Sequence, residues 1–267
     1  VTSTGTAPTL RQVTLPTSLL LVVGAAAWIG VVAVSRGSRG MGAMPGTMGL
    51  TFVAFAVVWA LMMTAMMLPT IAPFASLYTR TLTDHKARRI AELACGYLAV
   101  WTLAAVPAFV LAWVAGQLVD NRPNAAKVLA VLIFTACGIY QLTPVKDRCL
   151  ARCRSPLGFI MKYGSYRGRL RDLRVGISHG GFCLACCWAL MAVLVAVGLM
   201  NLLAMVVLAA VVLVEKTWRW GPRFSRAVGV VALLLAVAVV FRPALAAGLY
   251  QAPAPMSGGG MTGMNPP

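Results

Sequence analysis

The sequence predicts an all-α fold, a polytopic helical membrane protein of about seven transmembrane helices with its N-terminus inside and its C-terminus outside. Three observations carry that prediction. Of 267 residues, 60% are hydrophobic and 11% charged, whereas a soluble domain is nearer half apolar and a quarter charged. Seven stretches approach the roughly 20 apolar residues that a spanning helix needs. Lys and Arg are distributed one-sidedly. With the N-terminus inside, eighteen of the 23 fall on inner segments, while Arg36, Arg39, Arg122, Lys127 and Arg242 fall on outer ones, as the positive-inside rule requires.

A polar arm over 1–16 precedes the first span, 17–35. This run is expected to be a retained helix, since it is long and no small-residue cleavage site precedes its basic flank. The first residue, Val, fits a GTG start codon and gives an expectation of a bacterial inner (plasma) membrane. An outer loop, 36–49, follows, and the second span is read as 50–70. Pro69 and Pro73 are expected to kink or end it. The third and fourth spans are 93–116 and 126–143, and between the fourth and the fifth lies the basic cytoplasmic loop 144–175. The fifth span is 176–200 and the sixth 202–217. The sixth is short and joined to the fifth through Asn201 alone, so a merged re-entrant hairpin is the alternative. The inner turn "EKTWRWGPR" leads to the seventh span, 226–245, and its Trp218 and Trp220 suit an interfacial belt. A tail, 246–267, is rich in Met, Gly and Pro and reads as flexible and external. Residues 17–245 thus form one helical membrane domain.

The net charge of +17 is accounted for by topology and anionic headgroups, so the lipid bilayer is the expected partner and nucleic acid is not. All six acidic residues, among them Asp172 and Glu215, lie at span edges or in loops. No carboxylate is therefore expected within the membrane to relay protons or hold a hard cation. The sequence has no P-loop, nucleophile elbow or H-E-x-x-H, and the reading favours a non-enzymatic protein.

What the chain does carry is soft ligands in register. In "WALMMTAMMLP", Met62, Met63, Met66 and Met67 fall within roughly 140° of one helix face. In "SHGGFCLACC", His179, Cys183 and Cys186 share a face about 60° wide, with Cys187 on its shoulder. The first and last of the three are about 10 Å apart along the helix. Too far apart for one ion to span, they suit a site completed by another helix, or two neighbouring sites. Gly180 and Gly181 place His179 near the membrane boundary, where water could reach it. With N-in topology both stripes lie in the inner half of the bilayer, and Cys137, Tyr140 and Gln141 of the fourth span reach the same level. Cys149 and Cys153, one helical turn apart just past that span, are secondary candidates, either to pass a soft ion or to form a redox pair. So are Met41, Met44 and Met48 of the outer loop and Met256, Met261 and Met264 of the tail, because thioethers suit Cu(I). Each stripe has a packing alternative, Met as pliable filler and Cys as a small hydrophobe.

The "WALMMTAMMLP" run, "GYLAVW" at 96–101, "GIYQLTPVKDRCLARCRSPLGF" at 138–159, "GISHGGFCLACCWALM" at 176–191 and "MNLLAM" with "VLVEK" over 200–216 together resemble a known family. It is the bacterial family of predicted metal-binding integral membrane proteins, a domain of unknown function sometimes labelled copper chaperone. The resemblance covers roughly 50–245 and implies metal binding, with copper the metal. The first span and both Met-rich segments lie outside it. The expected function is a membrane protein that supplies, buffers or moves Cu(I), its partner a copper-dependent membrane enzyme or a copper carrier protein. Two alternatives stand beside it. One is a membrane thiol-disulfide oxidoreductase using Cys183 and Cys186, in which the Met pairs would have no role; the other is a non-catalytic subunit of a larger membrane complex.

Overall fold

A computed structural model of the chain describes residues 15–37, 46–82, 85–154, 166 and 168–250. Among these, regular structure is helical throughout. The helices are α1 (Leu15–Gly37), α2 (Phe52–Arg80), α3 (Lys86–Leu103), α4 (Ala105–Asn121), α5 (Pro123–Leu142), α6 (Pro144–Arg154), α7 (Arg171–Val197), α8 (Leu202–Thr217) and α9 (Gly221–Phe241). Two short 3-10 turns, Pro243–Leu245 and Ala247–Leu249, close the described chain.

Six helical runs are long and apolar enough to cross a membrane, with α3 and α4 counted as a single run of 36 residues, Lys86–Asn121. The expected sixth span is present as α8, but at 16 residues it covers only about 24 Å, less than the ~30 Å hydrocarbon core. The bundle is apolar on its outside as well as within: Ile29, Val53, Leu103, Leu203 and Phe241 are 70% or more exposed. Such a surface suits acyl chains rather than water.

The central element is α2, which packs against α1, α3, α4 and α8. It passes through Pro69 and Pro73 and runs on to Arg80, so the expected end of this span near residue 70 is corrected. The Pro69 ring fills the space left by Gly24 of α1, where a Cβ would come within 3.1 Å of it. Prolines are tolerated in membrane helices when neighbours close around them in this way.

α3 and α7 pack backbone against backbone, and glycine is the reason. A Cβ at Gly96 would collide with the Leu173 carbonyl, and one at Gly176 with the Leu93 carbonyl; Gly180 lies against Tyr97 in the same seam. Small residues bring backbones together where no hydrophobic force between helices operates. On the other flank α5 and α9 meet through Gly138 and Gly229.

The cytoplasmic loop expected over 144–175 is in part a helix, for its first eleven residues form α6. The segment read as the start of the tail also packs back on the bundle, with Ala246, Gly248 and Leu249 buried. Met41, Met44, Met256, Met261 and Met264 lie outside the described residues. Met48 is described, and it is 4% exposed, packed into the core from a left-handed turn (φ 58°).

Candidate metal centre

The two soft stripes are both wholly interior. Met62, Met63, Met66 and Met67 on α2 and Cys183, Cys186 and Cys187 on α7 are at most 1% exposed and belong to one continuous apolar core. Tyr97 of α3 joins them: its hydroxyl donates to the Met67 carbonyl (3.3 Å) and lies 3.0 Å from the Cys183 sulfur. It also approaches Thr70 Oγ1 at 3.5 Å. From α8, Lys216 Nζ reaches the same two groups, Cys183 Sγ at 2.8 Å and Thr70 Oγ1 at 3.1 Å. Side chains of α3 and α8 thus meet the Cys183 sulfur of α7, and Thr70 of α2 meets both of them.

From there sulfur follows sulfur. Cys187 lies one helical turn after Cys183 on α7, the Cys186 and Cys187 sulfurs are 3.2 Å apart, and the Cys153 thiol donates to Cys186 at 3.8 Å. All seven cysteines of the chain are free thiols. The thiols of α7 therefore touch α6, and the secondary candidate Cys153 joins the primary cluster. Cys149, a turn earlier, is half-buried against the same core.

His179 lies one turn before Cys183, stacked on Phe74 of α2 (centroids 4.5 Å apart) and tilted against Tyr97 (5.9 Å). It is 4% exposed, so the expectation that water reaches it is corrected. Gly180 serves contact with α3 rather than access, since a Cβ there would lie 3.1 Å from the Tyr97 carbonyl oxygen. Among the described residues, no group of three or more His, Cys, Asp and Glu side chains converges as a ready metal-holding set. The donors instead form a row that needs thioethers or small shifts to close around an ion.

A buried charged network fixes α6 beside this row. Lys146, fully buried, donates to Glu215 Oε2 (2.8 Å) and to the Cys186 carbonyl (2.6 Å). Gln141 Nε2 donates to Glu215 Oε1 (2.8 Å), Ser225 donates to Gln141 (3.1 Å), and Arg154 donates to the Glu215 carbonyl (2.7 Å). Burial opposes the charge on Lys146, but Cys187, Glu215 and Cys186 nearby and the Glu215 hydrogen bond outweigh it, so its pKa lies above the ordinary lysine value. The residue at the span edge, Glu215, is thus an interior carboxylate. Cys137 is buried on α5 next to this network, and Tyr140 donates to the Ala185 carbonyl.

A family described as PpoB2, copper chaperone, matches residues 56–239. The chain belongs to that family. No curated protein and no solved structure matches it. The PpoB2 match spans α2 to α9 and so contains every residue of the sulfur row, while α1 and the two Met-rich segments fall outside it. Within this PpoB2 domain, sequence reasoning found the Met stripe, the His-Cys stripe and the α6 cysteines. It did not find Tyr97, Thr70, Lys146, Glu215 or Lys216 as neighbours of the sulfurs. The motifs "GYLAVW" and "VLVEK" contained Tyr97, Glu215 and Lys216, but nothing in their spacing aims them at a cysteine on another helix.

Proposed function

We propose that this chain is an integral protein of the bacterial inner membrane that takes up Cu(I) in its interior and passes it between sulfurs toward α6. The observation that carries this reading is the contact row Cys187, Cys186, Cys153, which begins one helical turn from Cys183 and joins a core rich in thioethers to a helix outside the spanning set. Soft thiolate and thioether donors select Cu(I) over hard cations. Sulfurs 3 to 4 Å apart let an ion gain a new ligand before it loses the old one. His179 adds a nitrogen donor at the start of the row. Met62, Met63, Met66 and Met67 are the donors that complete the coordination, and a copper-dependent membrane enzyme or a copper carrier protein receives the ion.

The test is Cu(I) titration of purified protein against a competing chelator, with stoichiometry and exchange rate read separately. Cys183→Ser should lower affinity. Cys153→Ser should leave the stoichiometry of the interior site unchanged and slow transfer to an added soluble thiol acceptor. Unchanged affinity in Cys183→Ser, or unchanged transfer in Cys153→Ser, would overturn the reading.

A thiol-disulfide function is favoured by one contact, Cys153 to Cys186 at 3.8 Å, rather than by the Cys183/Cys186 pair. It predicts a Cys153–Cys186 disulfide trapped under mild oxidation and activity indifferent to Met66→Leu.

A further inference from the structure

At the start of α7, well away from the thiols, the N-termini of α3 and α7 open onto one polar cavity of about 230 Å³. Arg88, Arg89, Arg169, Arg171 and His85 line it. Two carboxylates also reach it, and both are already engaged: Glu92 pairs with Arg88 (3.0 Å), and Asp172 pairs with Arg89 (2.8 Å) and accepts from Tyr78. Among the described residues Arg169 and Arg171 have no ion pair. Arg171 Nε, moreover, is shielded from solvent and has no hydrogen-bond partner. A buried guanidinium nitrogen without an acceptor is costly.

The helix ends add to this imbalance. The residue preceding α3, His85, holds a left-handed conformation (φ 48°) and makes no side-chain cap; Leu170, preceding α7, makes none either, although Asp172 stands in the first turn of that helix. The first turn of α3 contains no acid and begins Lys86, Ala87, Arg88, Arg89. Cations at the positive end of a helix dipole oppose it, and an anion there relieves both.

We infer that this cavity binds a phosphate group, held by Arg169 and Arg171 and by the opening turns of α3 and α7. Planar guanidinium forks suit phosphate oxygens, and two unpaired arginines match the double charge of a phosphate monoester and more than offset the single charge of a diester. The phosphate belongs either to an anionic lipid headgroup or to a soluble phosphate compound. The site is independent of the copper reading.

The experiment uses the full chain, purified in neutral detergent free of phosphate and of anionic lipid. In one arm inorganic phosphate is titrated calorimetrically. In the other the protein is reconstituted in phosphatidylcholine nanodiscs with and without phosphatidylglycerol, and its Tm is read. Saturable phosphate binding, a Tm rise with phosphatidylglycerol, or both, is the expected result; the arm that responds identifies the source. Arg169→Gln and Arg171→Gln should each weaken that response by about tenfold or more. Arg223→Gln, whose guanidinium stacks on Trp220, should leave it unchanged. The inference fails if the wild-type protein responds to neither anion, a result no misfolded variant can mimic. It fails equally if Arg169→Gln and Arg171→Gln respond as the wild type does.

Discussion

Tyr97 is the residue on which the two soft stripes meet, since its one hydroxyl contacts the Met67 carbonyl, Thr70 and Cys183. Tyr97→Phe should therefore preserve the packing of a wholly buried ring and weaken Cu(I) binding by a few-fold, about 1 kcal/mol for one lost hydrogen bond. A chelator competition measures it. Cys183→Ser and Met66→Leu each remove a sulfur donor at nearly constant volume, and each should cost about tenfold or more in Cu(I) affinity. If both donors serve one ion, the double variant loses less than the sum of the singles; strict additivity would separate the stripes. Part of this was legible in the sequence. His179, Cys183 and Cys186 follow a single helical period, which spacing alone reveals. Lys216 beside Cys183 was not legible, because that contact exists only once α8 has folded back along α7, and a lysine near a span end reads first as a topology signal.

At the scale of the helix, two glycines five residues apart in α7 should behave in opposite ways. Gly176→Ala forces a methyl group into the Leu93 backbone, which cannot turn aside, and should destabilise by about 1–3 kcal/mol. Gly181→Ala meets nothing within 4 Å and should be neutral or raise stability by up to about 1 kcal/mol through helix propensity. Thermal melts in detergent distinguish them. The buried ion pair between α6 and α8 gives a second contrast. Lys146→Met or Glu215→Met alone strands a buried charge, a loss of about 3–5 kcal/mol, while the two together should cost far less. Because the Lys146 pKa is raised on folding, the pair's contribution is complete below the unfolded lysine value of about 10.5 and is lost as pH rises through the folded value. The Tm difference between wild type and the double variant should then stay flat from neutral pH to about pH 10. The sequence hid α6 for a related reason. Lys146, Leu150 and Cys153 form an i, i+4, i+7 stripe facing the core, but a lysine at the first position makes the stripe read as loop. In α2 the error ran the other way: Pro69 and Pro73 signal an end, and the helix continues because burial between α1 and α3 offsets the two lost backbone bonds.

For the molecule as a whole, the all-helical class was readable from composition alone, and so were the six long runs from their apolar stretches. Depth was not: a 16-residue α8 and a continuous 36-residue run across α3 and α4 both depart from a bundle of equal spans. The N-in, C-out arrangement predicts that reporters fused after Arg154 and after Tyr250 lie on opposite sides of the membrane. Fusions reporting the same side would show that α8 turns back within the bilayer.

The anchoring of α6 also sets a population. Lifting this helix away breaks the bonds of a fully buried lysine to Glu215 and to the Cys186 carbonyl. At about 3–5 kcal/mol the detached state is occupied by roughly one molecule in a hundred to one in several thousand. If the proposed function holds, an ion on Cys186 would find the helix open in only that small share of molecules, and a receiving protein would meet mostly the seated helix, with the half-buried edge of Cys153 as its way in.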